Sequence, residues 1–148
     1  MPTNGDMTSE YAISGTDDSG QAYALTQSKT TSSCTRVSKW RTPVPTGSDT
    51  LILTISDTAT GNAFAATGFV KAAFFNQDAT NFVTIGYTDT GAESAYFKIP
   101  TGDFHVLNSP DIETNATGGA WTGYNTIDVV TARADTAACD LDVVIYNT

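Results

Sequence analysis

The sequence has 148 residues, of which 40% are hydrophobic and 16% are charged, and its formal net charge is -9 at pH 7. This length allows one hydrophobic core but is short for two, so we expect one folded domain plus tails. The acidity disfavours nucleic acid and anionic membranes as partners, because both would repel the protein.

Residue usage favours strands over helices. The chain contains 26 Thr and 3 Glu, and Thr suits exposed strand faces and turns. No apolar run approaches the ~20 residues that cross a bilayer as a helix, and the first ten residues, MPTNGDMTSE, lack the charged and apolar regions of a signal peptide. We therefore expect an all-β protein that is made in the cytoplasm and has no membrane partner.

Residues 1–28 are polar and rich in Gly, Ser, Thr and Asp, and we expect them to form an extended N-terminal arm. Their apolar anchors are Tyr11, Ile13, Tyr23 and Leu25. Such an arm is ordered most easily by lying on another surface, so Tyr11 and Ile13 are candidate contacts with a partner protein. Residues 29–148 are expected to form the folded domain.

Four of the seven basic residues fall in the segment KTTSSCTRVSKWR, namely Lys29, Arg36, Lys39 and Arg41. We favour its interpretation as a solvated strand face with Cys34 and Trp40 pointing inward, because charge runs are usually solvated. The alternative is a docking edge for an acidic partner, since complementary charge steers association. In that case the four basic residues and Trp40 are candidate contacts.

The two cysteines, Cys34 and Cys139, are far apart in sequence. A disulfide between them is one alternative, but buried free thiols are the commoner outcome in a reducing compartment, and we favour them. One histidine and no C-x-x-C motif give no support to a structural zinc site. We expect no metal and no cofactor.

Strand signals begin after the basic segment. Two prolines flank Val44 in TPVPTG, which excludes a helix and a central strand and predicts a linker or a change of sheet. The run from Thr50 to Ser56 then predicts a central strand. Its expected faces are Leu51, Leu53 and Ile55 on one side and Ile52 on the other.

The stretch from Gly68 to Leu107 contains three runs that alternate at period two, with turn residues between them. These runs are Phe69 to Phe75, Phe82 to Tyr87 and Ala95 to Ile99. The pattern is typical of consecutive antiparallel strands. QDAT and TDTGAES are expected to join neighbouring strands, and PTGD predicts a tight reversal before another strand, Phe104 to Leu107.

Residues 108–125 form the longest stretch without clear periodicity, and long loops often carry function. Trp121 and Tyr124 lie there among glycines. They could form an exposed aromatic platform for sugar or protein contact, or they could cover an open end of the core as a plug. We favour the plug, because large aromatic side chains are more often buried.

The C-terminal region, TIDVVTARA, DTAA and CDLDVVIYNT, predicts a β-hairpin. Cys139, Leu141, Val143 and Ile145 should share its inner face. In total the chain predicts about eight strands at a spacing of about ten residues, which is typical of an antiparallel β-sandwich of the jelly-roll kind.

No residue pattern predicts a catalytic centre. His105 is the only histidine and has no nucleophile and acid at a recognised spacing, so we expect it at a surface or interface. Asp140 with Asp142, and Asp111 with Glu113, alternate on strands and are interpreted as solvent-facing pairs rather than the paired acids of a glycosidase.

The run KAAFFNQDATNFVTIGYTDTGAESAYFKIPTGDFHVL, followed by TIDVVTARADTAACDLDVVIYNT, resembles small virion structural proteins of tailed bacteriophages. In those proteins a strand ending in Asn-x-Asp-x-x-Asn-Phe-Val precedes Lys-Ile-Pro-x-Gly-Asp, and a strand with Ala-Asp-Thr-Ala-x-Cys-Asp-Leu closes the chain. The resemblance covers about residues 68–148 and carries over no functional residues.

The resemblance implies a β-sandwich on the surface of a phage particle. Its partner would be the major capsid protein or another virion protein, and its role would be that of a decoration (cement) protein or a fibre component. Decoration proteins often work as trimers whose arms reach neighbouring subunits, so a homotrimer is favoured.

Two other functions remain open at this point. A carbohydrate- or receptor-binding module would use exposed aromatic side chains such as Trp121, Tyr124, Tyr87 or Tyr96. A small hydrolase would use Asp140 and Asp142, and we do not expect the chain to be an enzyme.

Overall fold

A computed structural model describes residues 5–34, 36–55, 63–112 and 124–148, and within these it gives no side-chain description for residues 32, 33 and 36. In this part of the chain the regular elements are β-strands, apart from a 3-10 turn at Ala66–Gly68. The strands are β1 Gly5–Thr16, β2 Ala22–Cys34, β3 Arg36–Val44, β4 Thr50–Ile55, β5 Ala63–Phe64, β6 Phe69–Asn76, β7 Val83–Asp89, β8 Ser94–Ile99, β9 Phe104–Leu107, β10 Asp111–Ile112, β11 Asn125–Ala134 and β12 Cys139–Asn147. The prediction of an all-β chain is confirmed. None of the described elements is a helix long and apolar enough to cross a membrane.

The chain divides into two compact units, Met1–Thr35 and Arg36–Thr148. In the first unit β1 and β2 pair antiparallel as a hairpin, whereas the sequence had predicted an extended arm that ended at residue 28. The Asp17 carboxylate explains the reversal, because its Oδ1 accepts hydrogen bonds from the backbone N–H groups of Ser19 and Gln21, each at 2.9 Å. Gly20, at φ +83°, supplies the left-handed residue of this turn.

The second unit contains two sheets. One has the strand order β5-β4-β11-β7-β8, with β10 paired to β11, and the other has the order β3-β12-β6-β9. All pairings in them are antiparallel except the short parallel contact of β4 with β5. We call them the six-stranded sheet and the four-stranded sheet.

Both sheets contribute to one buried apolar cluster, so the second unit is sandwich-like. From the four-stranded sheet, the predicted inward face of β12 is confirmed, with Cys139, Leu141, Val143 and Ile145 all buried. From the six-stranded sheet, the cluster takes inward residues of β4, β7 and β11. Alternation at period two therefore predicted correctly which side chains of β12 form the core.

The predicted faces of β4 are wrong at one end. Ile52, Leu53 and Ile55 are buried while Leu51 is exposed. The pairing with β11 skips Ile52 between Leu53 and Leu51, which is the register of a β-bulge. A bulge inserts one residue and reverses the alternation beyond it.

The predicted C-terminal hairpin is also wrong. β11 lies between β4 and β7 in the six-stranded sheet, and β12 lies between β3 and β6 in the four-stranded sheet. Both edges of each strand are therefore already paired, and the DTAA turn crosses from one sheet to the other. The QDAT turn likewise connects β6 and β7, which belong to different sheets, whereas TDTGAES joins the paired neighbours β7 and β8 as predicted.

Pro43 lies on β3, at the edge of the four-stranded sheet, and the chain then enters the six-stranded sheet at β4. The predicted change of sheet is thus confirmed, and the edge position suits a residue that cannot donate to a ladder. The predicted reversal at PTGD is confirmed as well, with Asp103 N–H donating to the Pro100 carbonyl at 3.3 Å. Gly102 lies at φ +66° in this turn.

A buried asparagine holds the loops at the end of β6. The Asn76 side chain donates to the backbone carbonyls of Asn81 at 2.9 Å, Pro100 at 3.0 Å and Ile99 at 3.3 Å. Its Oδ1 accepts from the Asp78 N–H at 3.0 Å. Asn76 therefore ties β6, the loop after it and the end of β8 together.

Candidate functional site

The hairpin of β1 and β2 has one apolar face. Ile13 pairs directly with Leu25, and Gly15 with Tyr23. Because directly paired residues project to the same side and alternate residues share a side, Tyr11, Ile13, Tyr23 and Leu25 lie on one face. Ile13 is 62% exposed and Leu25 is 68% exposed. We call this surface, defined by these four residues, the ribbon face.

The opposite face of the hairpin carries mostly short side chains, with Glu10 opposite Ser28 as the exception. Ala12 pairs with Thr26 and Ser14 with Ala24, and the Thr8 and Thr30 hydroxyls are hydrogen-bonded at 3.0 Å. The hairpin is thus amphipathic, with large apolar groups on one side and small side chains, hydroxyl groups and the Glu10 carboxylate on the other. Two of its four apolar residues, Tyr11 and Ile13, were predicted as contacts. The repeated pattern Tyr-Ala-Ile and Tyr-Ala-Leu on either side of DDSG is the signal that could have predicted the whole face.

The residues of the basic segment lie on two strands, β2 and β3, which belong to different units. Lys29 lies on β2 opposite Ser9, on the same side of the hairpin as the ribbon face. Lys39 is exposed on β3, and the Arg36 side chain lies outside the described part. Trp40 is half-buried against the core and stacks on Phe64, with ring centroids 6.4 Å apart.

Arg41 is bound within the chain by a bidentate ion pair. Its Nε donates to Asp142 Oδ1 at 2.6 Å and its Nη2 to Oδ2 at 2.9 Å. These hydrogen bonds, together with the charges of Arg41 and Lys39, hold the pKa of Asp142 below its usual range. The charge of Arg41 is therefore paired within the chain at this edge.

Two of the carboxylates considered for a hydrolase site, Asp142 and Asp111, accept hydrogen bonds from other side chains of the chain. A general acid needs a raised pKa, whereas that of Asp142 is lowered by Arg41. Asp111 accepts a hydrogen bond from Thr126 at 3.2 Å, and Glu113 lies outside the described residues. In the part of the chain that the structure describes, no three His, Cys, Asp or Glu side chains are grouped to hold a metal ion.

Both cysteines are buried free thiols, as expected. Burial and the nearby carboxylates, Asp78 first among them, raise the pKa of the Cys139 thiol. Such a thiol is a poor nucleophile at neutral pH, because the thiolate is the reactive form.

The candidate aromatic residues differ in exposure. Tyr124 is 73% exposed, so it is not a plug over the core, and Trp121 lies outside the described residues. Tyr87 is fully buried and offers no stacking surface, whereas Tyr96 is 65% exposed. His105 is half-buried, with its ring centroid 4.9 Å from that of Phe97, and burial lowers its pKa.

Tyr96 borders a groove on the outer face of the six-stranded sheet. The groove has a volume of about 210 Å³. Its lining residues come from β7, β8 and β11 and from the loop before β4, and they are Asp49, Thr84, Gly86, Tyr96, Thr131 and Arg133. We call it the Tyr96 groove. Tyr96 was named among the candidate stacking residues, but its polar neighbours were not predicted, because Asp49 and Arg133 meet only in the folded sheet, by a hydrogen bond of 2.8 Å from Arg133 Nε to Asp49 Oδ1.

Comparison of the chain with protein-family models, with curated proteins and with solved structures finds no match.

Proposed function

We propose that this chain is a structural protein of a tailed-phage particle that binds the lattice of the major capsid protein and stabilises it. In this proposal the second unit is a jelly-roll-like sandwich, and the ribbon face is the surface that contacts the capsid. The amphipathic hairpin is the observation that carries the proposal, together with the resemblance of residues 68–148 to virion proteins.

The physical reason is the exposure of the ribbon face. An isolated two-stranded hairpin is at most marginally stable in water, and it gains stability when an apolar face packs against another surface. Full burial of a Leu or Ile side chain contributes about 1.5–3 kcal/mol. Since Ile13 and Leu25 are each about two-thirds exposed, their burial on a partner would contribute about 2–4 kcal/mol in total.

This contribution of a few kcal/mol suits a protein that binds the lattice through several weak contacts at once. A contribution of a few kcal/mol gives weak binding for a single hairpin, since each 1.4 kcal/mol changes affinity tenfold. Linked copies would bind far more tightly, because the second and third contacts are intramolecular. We therefore propose a homotrimer, whose three hairpins engage the lattice together.

Sedimentation with undecorated capsids tests the proposal. Purified protein should pellet with the particles, and the double variant Ile13→Ser/Leu25→Ser should remain mostly in the supernatant. The matched control is Ala12→Ser/Ala24→Ser, which alters the opposite face of the same strands and should pellet like wild type. Wild-type protein that stays in the supernatant, or a ribbon-face variant that pellets normally, would contradict the proposal.

The proposed trimer is tested separately by light scattering during gel filtration. The mass should be three times that of the chain, which is 15.6 kDa. A monomer at the concentrations used for sedimentation would rule out avidity between linked copies, whatever the pelleting result.

A carbohydrate-binding module of a head or tail fibre is the second candidate function. The specific observation in its favour is Tyr96, an aromatic ring that is exposed beside polar groups in a groove.

A further inference from the structure

We propose that the Tyr96 groove binds one ring of an uncharged saccharide, with the sugar stacked on Tyr96 and its hydroxyl groups bonded to Arg133 and Asp49. This inference rests on the second candidate function, a carbohydrate-binding module, and concerns the outer face of the six-stranded sheet rather than the ribbon face. A saccharide needs a flat apolar surface and several hydrogen-bonding groups close together, and the groove supplies both.

Gly86 lets the Tyr96 ring lie across the sheet. Gly86 pairs with Tyr96 on one side and with Thr131 on the other. A Cβ at position 86 would come within 3.0 Å of the Tyr96 ring and 2.9 Å of Thr131 Oγ1. The absence of a side chain at this position therefore leaves room for the ring against the backbone and keeps the groove open between Tyr96 and Thr131.

The far wall of the groove presents polar groups of both kinds. Arg133 uses Nε for Asp49, and its guanidinium has further N–H donors that are held in a fixed plane. The second oxygen of the Asp49 carboxylate is a strong acceptor. A donor and an acceptor fixed side by side match two neighbouring hydroxyl groups of a sugar, each of which both donates and accepts. Thr84 and Thr131 line the same groove.

Charge and size select among ligand classes. Asp49 within the groove and a net charge of -9 disfavour an anionic ligand such as a phosphate or an acidic sugar. Two threonines and an ion pair in the wall disfavour a purely apolar ligand, which would leave their remaining donors and acceptors without hydrogen bonds. The volume of about 210 Å³ is below the roughly 300–1,000 Å³ of sites for drug-sized ligands, which fits a single ring.

A glycan array followed by titration calorimetry of the best ligand tests the inference on the full chain. We expect wild type to bind at least one neutral glycan, Tyr96→Ala to weaken binding about tenfold or more, and Tyr96→Phe to retain it, because stacking needs the ring and not the hydroxyl. Arg133→Met should also lose about tenfold. The matched control is Tyr124→Ala, which removes another exposed tyrosine outside the groove and should bind like wild type.

Three results would overturn the inference. They are no binding of wild type to any arrayed glycan, binding only to acidic glycans, and binding that Tyr124→Ala abolishes while Tyr96→Ala does not. Thermal unfolding of each variant establishes that it is folded, and the loss expected for Arg133→Met keeps the test decisive if Tyr96→Ala is unstable. Tyr96→Ala should still pellet with capsids, so failure of the sugar site and failure of capsid binding are distinguishable.

Discussion

Asn76 should contribute more to stability than any exposed polar residue near it, and Asn76→Ala tests this. The side chain is buried and joins three segments through four hydrogen bonds. An amide has only two N–H groups, so the two shorter contacts, to Asn81 and Pro100, carry most of the donation. Alanine would remove these bonds together with the one accepted from Asp78.

The expected cost follows from these bonds. Each hydrogen bond contributes about 0.5–1.5 kcal/mol, and a buried group left without its partner costs about 1–3 kcal/mol. Some of the carbonyls can be hydrated once the loop relaxes, so we expect a total loss of about 3 kcal/mol. For a chain of this size that corresponds to a fall in Tm of about 10 °C.

Urea unfolding followed by circular dichroism measures the loss, with Gln77→Ala as control. Gln77 is the next residue and is exposed, so its truncation should change the unfolding free energy by less than about 0.5 kcal/mol. Asn76→Asp sharpens the test, because an ionised carboxylate cannot donate to the carbonyls and should be destabilising at pH 7. Its deficit should shrink as the pH falls and the carboxyl becomes protonated. A cost below about 1 kcal/mol for Asn76→Ala would refute the reasoning.

Three further predictions follow from buried groups and from the division of the chain. Tyr87→Phe should be neutral or stabilising by up to about 1 kcal/mol in urea unfolding, because the Tyr87 hydroxyl is buried without a hydrogen-bond partner in the described residues. A clear loss of unfolding free energy would mean that the hydroxyl has a partner. Burial lowers the pKa of His105 from its usual value of 6.5, so the unfolded state binds the proton first and the unfolding free energy should fall as the pH drops below 6.5. His105→Gln should flatten this pH dependence. An unchanged slope would mean that another group causes it. After deletion of residues 1–35 the remaining chain should still unfold cooperatively on heating, because the buried core cluster lies from Val44 onward. A loss of cooperativity would show that the hairpin is needed for folding.

The sequence predicted the strands of the second unit well because alternation depends only on which face is buried. The face of β12 illustrates this, since all four predicted inward residues are in the core. Alternation carries no information about the partner of a strand, and this is why β11 and β12 were wrongly paired. It also fails where a bulge adds a residue, as at Ile52.

The candidate sites were harder to predict than the core, for a related reason. The ribbon face depends on a turn at Asp17 that brings Ile13 beside Leu25. It was not predicted as a whole because the polar composition of this segment indicated an extended arm. The Tyr96 groove depends on three strands that lie side by side only in the folded sheet. Its Arg133 and Asp49 are 84 positions apart, and no local pattern joins them.

The ribbon face and the Tyr96 groove can bind different partners because the strands that carry them belong to different sheets. β1 and β2 pair only with each other among the described strands, whereas β7, β8 and β11 form the groove within the second unit. A substitution on the ribbon face therefore leaves the ladder beneath Tyr96 unchanged, and a substitution in the groove leaves the hairpin unchanged. Effects on the two binding activities should accordingly be additive, as expected for sites with no shared partners. A ribbon-face variant that also lost sugar binding would mean that the two surfaces contact one ligand together.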